Sequence, residues 1–398
     1  MQIARTLISE FLNHEEDSEF ALDFLHHLSS PVDEFEDEHL HESYSDSVKK
    51  SLAHPKAKTI LDVSHKGQTK GGNLWKAMQH GLRSADAKIS AESPDERKAG
   101  LKAARSTWNE FAQARGYKSG MEMSEKRNGK IQRLSTKLAA GNQKTEKSEG
   151  GGVLTTGINL APHTTAGLDG VDVCPKSSSD CRANCLGTES GGNRRFPHSL
   201  ASKMLRTHFL VHHPEEALRM IDDEVAGHAR RAGRAGLTPG FRLNITSDIS
   251  WEKAAPGLFT RHPDVQFYDY TKLANRVGHP NLPANYHLTL SHTGTGHDES
   301  NDREVTKALH GGQTVAMVFS KAGKTPTHVE DVKTGHRFPV VDGDKDDNTF
   351  DRHTEAGLVQ GTPGHGVVSA LKLKGVTAAS AGKFVTPVDD DWIARINR

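Results

Sequence analysis

Three cysteines, Cys174, Cys181 and Cys185, fall within twelve residues of a 398-residue chain that holds no other. They lie in Val173-CPKSSSDCRANCLG-Thr188, with the spacing C-x6-C-x3-C. That spacing matches neither a zinc-ribbon pair nor a two-thiol redox motif. Three soft ligands on one loop, without a fourth cysteine, point to a metal centre with one coordination position open. A cubane iron–sulfur cluster on three thiolates suits it. So does zinc in a three-cysteine, one-histidine site, with His163 or His198 as the nearest imidazoles. The plain alternative is three cysteines that bind nothing.

The elements around the trio must position it. Ser177-Ser178-Ser179-Asp180 offers several N-cap residues immediately before Cys181. A helix starting there would set Cys181 and Cys185 one turn apart on one face, and its amino end would favour the Cys181 thiolate. Cys174, followed by Pro175, would approach from the incoming loop.

From Val153 onward, short apolar runs alternate with helical stretches. Strands are expected at Val153–Leu160, Phe241–Ile245, Val265–Tyr270, Tyr286–Leu290, Thr314–Phe319 and Val367–Leu373. Helices are expected over Leu200–Arg231, Ala254–Arg261, Leu273–Arg276 and Arg303–His310. Repeated β-then-α units imply an α/β domain with a parallel sheet, either doubly wound or a partial (β/α)6 barrel. In both, ligands bind at the carboxyl ends of the strands. Those ends read Thr246-Ser247-Asp248, Thr271-Lys272, Ser291-His292-Thr293-Gly294 and Ser320-Lys321, and the cysteine loop follows the first strand. Asp248, Lys272, Ser291 and Lys321 are therefore the candidate catalytic residues, with Ser247, Asp248 and Ser291 as candidate cofactor contacts. Loops are polar in any protein, and that is the competing reading of each one.

The formal charge is zero, 34% of residues are apolar, and the mean hydropathy is −0.63. A chain this polar is expected to hold one packed part and one poorly packed part. Four regions are expected: an acidic helical segment at 1–50, a basic helical region at 51–138, a polar linker at 139–152, and the metal-binding α/β domain at 153–398. The first carries about a dozen acids and two short amphipathic helices within its first thirty residues. In 54–147 Lys and Arg outnumber acids roughly two to one. A helix is expected from Leu74 to Arg115, broken near Ser93-Pro94, and a further basic one from Ser124 to Leu138. The whole N-terminal region reads as mostly helical and partly disordered. No apolar run is long enough to span a bilayer, and no secretory leader is visible, so a soluble cytoplasmic protein is expected. A clustered, odd number of cysteines fits a reducing compartment.

The block from about Gly152 to Gly375 resembles the gene product 88 family of phage and mobile elements. The residues that carry the resemblance are the CP-x5-C-x3-C loop, Asn244-ITSDIS-Trp251, Phe267-YDYT-Lys272, His287-LTL-Ser291 and Val341-DGDKD-Asp347. That family in turn resembles radical S-adenosylmethionine enzymes, in which a three-cysteine loop follows the first strand of a partial (β/α)6 barrel. The resemblance implies a 4Fe–4S cluster on Cys174, Cys181 and Cys185, whose open iron would chelate S-adenosylmethionine, and a host-cytoplasmic location for a phage-encoded chain. The chain departs from the usual pattern twice. The cysteine spacing is wider than C-x3-C-x2-C, and Ser247-Asp248 stands where a glycine-glycine-acid step would follow the second strand.

The remaining signals are weaker. Asp342-GDKDDNTF-Asp351 crowds carboxylates, as a calcium or magnesium loop would, though a solvated turn explains it equally well. The 24 histidines share no spacing and are expected mostly at the surface. Gly294-Thr295-Gly296 and Arg194-Arg195 are weak phosphate or carboxylate signals. The basic region 54–147 could bind nucleic acid through its phosphates, with Trp75, Trp108 and Tyr117 among its few large aromatics for stacking. The acidic first fifty residues could instead neutralise it in cis. Two functions follow. One is a radical-type iron–sulfur enzyme acting on an unnamed substrate such as a nucleic acid or nucleotide. The other is a non-catalytic accessory protein with a structural metal and a charged half that binds nucleic acid or a protein partner.

Overall fold

Runs of β-branched and aromatic residues after position 152 become strands, and the alanine-, lysine- and arginine-rich stretches become helices. The computed structural model describes residues 46–67, 73–117, 123–127, 130–133, 138–139, 148, 151–188, 198–294, 300–319, 325–373 and 381–397. Within it, Ser45–Arg398 form one compact unit. The two amphipathic helices expected in the first thirty residues lie outside the described residues.

Helices α1 (Asp46–Leu52), α2 (Pro55–Gly67), α3 (Leu74–Ala91) and α4 (Pro94–Ala114) come first. The break at Ser93-Pro94 is a capping box: Ser93 accepts from the Glu96 amide, and the Glu96 carboxylate accepts from the Ser93 amide at 2.8 Å. Among the described residues of Ser124–Leu138 the expected basic helix is absent. Strands β1 (Met123–Arg127) and β2 (Lys130–Arg133) pair antiparallel there instead. The sequence between them is Asn128-Gly129, the dipeptide that favours a two-residue hairpin, and this local preference outweighs the basic residues' helix propensity.

The α/β part then runs β3 (Val153–Gly157), α5 (Ser179–Ala183), α6 (His198–His212), α7 (Pro214–Ala235), β4 (Thr238–Arg242), α8 (Trp251–Ala254), α9 (Pro256–Arg261) and β5 (Gln266–Thr271). It continues β6 (Tyr286–Ser291), α10 (Asp302–His310), β7 (Thr314–Phe319), β8 (His328–Asp331), β9 (Arg337–Asp342), α11 (Arg352–Glu355), β10 (Val367–Lys372) and β11 (Ile393–Ile396). All six expected strands form, as β3 to β7 and β10. The long helix expected over Leu200–Arg231 is split at His213-Pro214, because proline cannot continue a helix begun before it.

These strands build one nine-stranded sheet in the order β11-β8-β9-β10-β7-β6-β5-β4-β3. Only β8 and β9 run antiparallel to one another. The class is therefore α/β with a largely parallel sheet, carrying three more strands than the periodicity showed. Pro339 sits within β9, which disguises it as a loop, and β8 and β11 are four residues each. Among the described residues β3 pairs with no strand but β4, so the sheet is open.

Strands β3 to β7 are laid down in sequential order. Right-handed crossovers then leave their helices on one face. On that face Phe267 meets Phe259 of α9 edge-on at 4.9 Å, and Phe241 meets His228 of α7 at 6.0 Å. Farther along, Leu290, Val315, Met317 and Val368 pack with Val305 and Leu309 of α10 in one hydrophobic cluster. Each such side chain contributes roughly 1.5–3 kcal/mol of burial.

The other face is polar. Thr155, Arg242, Tyr268, His287 and Thr314 all lie on it, and the Asp342–Asp351 loop crosses it. Asp347 accepts from Arg242 Nη1 at 2.9 Å, Asp346 from Arg352 Nη2 at 2.9 Å, and Asp344 from the Lys372 amide at 2.6 Å. Phe350 packs edge-on against Tyr268 at 5.2 Å. The segment is more than a solvated turn: Asp344, Asp346 and Asp347 are buried and engaged by guanidinium and amide groups, while Asp342 is exposed, and the loop covers this face of the sheet.

The N-terminal helices pack on α6 and α7. Arg219 of α7 forks to Glu92 at 2.5 and 2.6 Å, and Arg261 of α9 reaches Asp86 at 2.9 Å. Trp108 and Phe111 of α4 meet Phe209 of α6 edge-on. Trp108 and Tyr117 are buried and so present no stacking surface. The histidines are less superficial than their scatter suggests: His163, His208, His228, His287, His292 and His353 are all buried.

Candidate functional site at the strand ends

Strand β3 ends at Gly157, which lies so close to β4 that a Cβ there would sit 2.1 Å from the Arg242 carbonyl. Ile158 N continues the ladder to that carbonyl at 2.8 Å, and the chain then enters the cysteine loop. His163 takes the left-handed conformation at φ 42°, uncommon for a residue with a side chain. Its amide donates to Cys174 Sγ at 3.4 Å, and its carbonyl accepts from Val173 N at 3.2 Å. The loop therefore folds back and delivers Cys174 beside His163.

Arg182 of α5 knits the rest. It donates to Asp172 at 3.0 Å and to Ser177 Oγ at 2.9 Å, while the Cys174 amide donates to the other Asp172 oxygen at 2.7 Å. Ser178 caps α5 by accepting from Cys181 N at 3.1 Å. The expected helix start is correct, but the helix ends at Ala183. Cys185 therefore stands beyond the C-cap Asn184 rather than one turn along from Cys181. Gly187 N donates to Cys185 Sγ at 3.3 Å, and the buried Lys203 Nζ donates to the Gly187 carbonyl at 2.9 Å.

Burial dominates the electrostatics of this loop. Burial pushes the Cys174 thiol well up, and negative charge on Cys185, Asp172 or Cys181 pushes it further, against the His163 amide. Burial and Cys181 likewise raise Cys185, against Gly187 N and Lys203. Burial brings Lys203 down to about 8, with Cys185 acting in the opposite sense. Burial, assisted by Arg182, lowers His163 to about 4, so its imidazole is neutral at physiological pH. All three cysteines are free. Among the described residues no three His, Cys, Asp or Glu side chains stand ready-arranged around a metal. Three thiols are the kind of donor a thiophilic metal takes, and binding one would require them to shed their protons.

The strand ends adjoin this loop directly. Asp248 N donates to the Val173 carbonyl at 2.6 Å, and the Thr246 carbonyl lies 3.6 Å from Cys174 Sγ. The Ser247 hydroxyl donates to Asn244 Oδ1 at 2.9 Å. Asp248 is buried and both its oxygens are engaged, one by Arg276 Nη1 at 2.6 Å and the other by the Lys272 amide at 2.8 Å. Burial raises its pKa, and Arg276 opposes the rise. Lys272 Nζ donates to Ser291 Oγ at 2.9 Å and reaches the His292 carbonyl at 3.5 Å. His292 is fixed by Asp302 at 2.7 Å and Thr386 at 3.1 Å. Thus Asp248, Lys272 and Ser291 come together beside Cys174. Ser320 and Lys321, Arg194-Arg195, and Thr295-Gly296 lie outside the described residues.

Sequence reasoning missed Arg276, Lys203 and Arg182, the cations that hold this corner. Arg276 is followed by no motif, and Lys203 stands among the mixed polar and apolar residues of α6, where nothing marks it as a cation with a fixed partner.

An open, largely parallel α/β sheet with an amine and a hydroxyl at the carboxyl ends of adjacent strands belongs to the class that receives ligands at that edge. Residues 126–385, more than half of the chain, match the gene product 88 family, and the chain belongs to it. The matched region contains the three cysteines and the rim residues Ser247 to Ser291. No curated protein and no solved structure matches the chain.

Proposed function

We propose that the chain is a phage-type iron–sulfur enzyme of the radical S-adenosylmethionine kind, with Cys174, Cys181 and Cys185 holding a 4Fe–4S cluster at the mouth of a partial (β/α)6 barrel. One observation carries this reading: the loop that follows β3 carries all three cysteines, and the Asp248–Val173 hydrogen bond ties that loop to the strand ends bearing Lys272 and Ser291. The sequential order of β3 to β7, with helices on one face, is the winding such a barrel requires. A bound cluster with an open iron would supply an electron to S-adenosylmethionine chelated there. The chain's own residues have separate tasks. Arg182 and Ser178 set the loop, Lys203 places a cation near Cys185, and Asp248 orients the Lys272 backbone. Lys272 and Ser291 offer an amine and a hydroxyl to a polar substrate, a nucleotide or nucleic acid being the class in view. Ser247 and Lys321 complete the proposed rim.

A second reading rests on His163. Its backbone amide donates to Cys174 Sγ, and its buried, neutral imidazole would serve as the fourth ligand of a structural zinc site. The chain would then be an accessory protein whose basic helices bind nucleic acid or a protein in the host cytoplasm. Anaerobic purification with metal analysis separates the two. A brown protein with about four irons per chain, lost in Cys181→Ala, is the expected result. A colourless protein with one zinc lost in His163→Ala would sink the enzyme reading. For the basic helices, binding to random-sequence DNA at about 50 and 200 mM salt should weaken by orders of magnitude, and no binding at the lower salt removes that surface.

A further inference from the structure

A cleft of about 530 Å³ opens between α4 and α7, away from the cysteine loop. Arg105 and Trp108 line it from one helix, and Gly227, Arg230, Arg231 and Arg234 from the other. Gly227 lies one turn before Arg230 and Arg231 and presents no side chain, which leaves space between the helices there. A Cβ at Gly227 would meet only Arg230 Nη2, at 3.7 Å, so the gap is open space rather than a forced close approach.

Guanidinium groups outnumber carboxylates four to two around the cleft. Both carboxylates are already engaged. Asp223 takes Arg105 at 2.7 Å, and Glu224 accepts from the Leu138 and Ala139 amides at 2.8 and 2.6 Å. Arg231 leans on His228 Nδ1 at 3.2 Å. Arg230 and Arg234 have no carboxylate partner among the described residues, although they stand one turn apart, where like charges repel. Only Arg234 falls in the last turn of α7, where the helix carbonyls favour a cation, so the helix end does not account for Arg230. At the floor, the Trp108 ring is 1% exposed and its indole N–H has no acceptor.

We propose that this cleft binds a phosphate-bearing anion of mononucleotide size, with Arg230 and Arg234 clamping the phosphate and Arg105 and Arg231 flanking it. Its volume lies within the roughly 300–1,000 Å³ of small-ligand sites, and planar guanidinium forks match phosphate oxygens in pairs. The walls come from both the N-terminal helices and the α/β part, so occupancy would also clamp α4 to α7. The site is independent of any metal at the cysteines.

Calorimetric titration of the full chain with AMP, inorganic phosphate and a 5′-phosphorylated single-stranded DNA oligomer, at low salt, tests it. AMP should bind more tightly than about 1 mM, and at least as tightly as the oligomer. Arg230→Ala/Arg234→Ala should weaken AMP at least tenfold. Gly227→Leu should do the same by filling the space while keeping every arginine. Unchanged melting of the arginine variant would show that the loss is local. Absence of AMP and phosphate binding to the wild type, or equal binding by the arginine variant, overturns the proposal. Tighter binding of the oligomer than of AMP overturns the small-ligand site in favour of a strand-binding surface.

Discussion

Lys272 donates to the Ser291 hydroxyl across 2.9 Å, joining the carboxyl ends of β5 and β6 beside the cysteine loop. Parallel register brings them together: Thr271 pairs with Leu290, so the next residue of each strand emerges side by side. A charge-assisted bond between half-buried partners is worth about 1–2 kcal/mol. In a double-mutant cycle of Lys272→Met and Ser291→Ala, urea unfolding should show a coupling energy of about 1 kcal/mol. Strictly additive losses would mean the two groups do not support one another.

Arg276 forks to Glu252 at 2.8 and 2.9 Å, holds Asp248 at 2.6 Å, and is itself buried. Arg276→Ala would leave two carboxylates without their cation and should cost about 3–5 kcal/mol. Arg276→Lys should recover only part of this, since an ammonium cannot fork to Glu252 and reach Asp248 together. Equal stability of the lysine variant and the wild type would contradict that geometry.

His287 predicts a pH dependence. Burial, then the neighbouring His353, lowers its pKa from 6.5 to about 4. The unfolded chain binds a proton first as pH falls, so the contribution of His287 is complete above about 6.5 and is lost progressively down to about 4. His163 acts in the same direction. The wild type should therefore lose stability between about pH 6.5 and pH 4 more steeply than His287→Gln, by up to about 1.4 kcal/mol per unit. Parallel urea-midpoint curves for the two proteins would exclude the effect.

Asp269 acts oppositely. Burial raises it to about 7 against Arg242 and the Asn244 amide. The folded chain keeps its proton where the unfolded chain has released it, so this contribution falls as pH rises from about 4 to about 7. In Asp269→Asn that fall should vanish, making the variant's stability rise more steeply with pH than the wild type's across the same window.

Two glycines should respond in opposite senses. Gly157→Ala puts a Cβ 2.1 Å from the Arg242 carbonyl, and the obstacle is backbone, so a loss of about 3 kcal/mol or more is expected. Gly233→Ala, in the exposed part of α7 with nothing within 4 Å, should gain about 0.5–1 kcal/mol. Thermal melts of the two variants against the wild type check both.

The six strands of the parallel core, the Ser93-Pro94 helix break and the Ser178 cap before Cys181 were legible, because each rests on a local preference of neighbouring residues. The β1–β2 hairpin was missed where Asn128-Gly129 outweighed a basic stretch, and β9 where Pro339 interrupts a strand that its neighbours hold in place. The acidic loop was legible as carboxylates but not as a cover over the sheet, since its partners Arg242 and Tyr268 lie far away in the chain.

By itself the sequence determined that three thiols stand close together in one loop, since chain separation alone bounds their distance. It also determined that polar residues follow apolar runs at Asp248, Lys272 and Ser291. Only the tertiary structure decided that Lys272 meets Ser291, that Arg276 occupies Asp248, and that arginines of α7 face Arg105 across a cleft. Those relations depend on strand register and helix packing, which sum many weak contacts between distant segments.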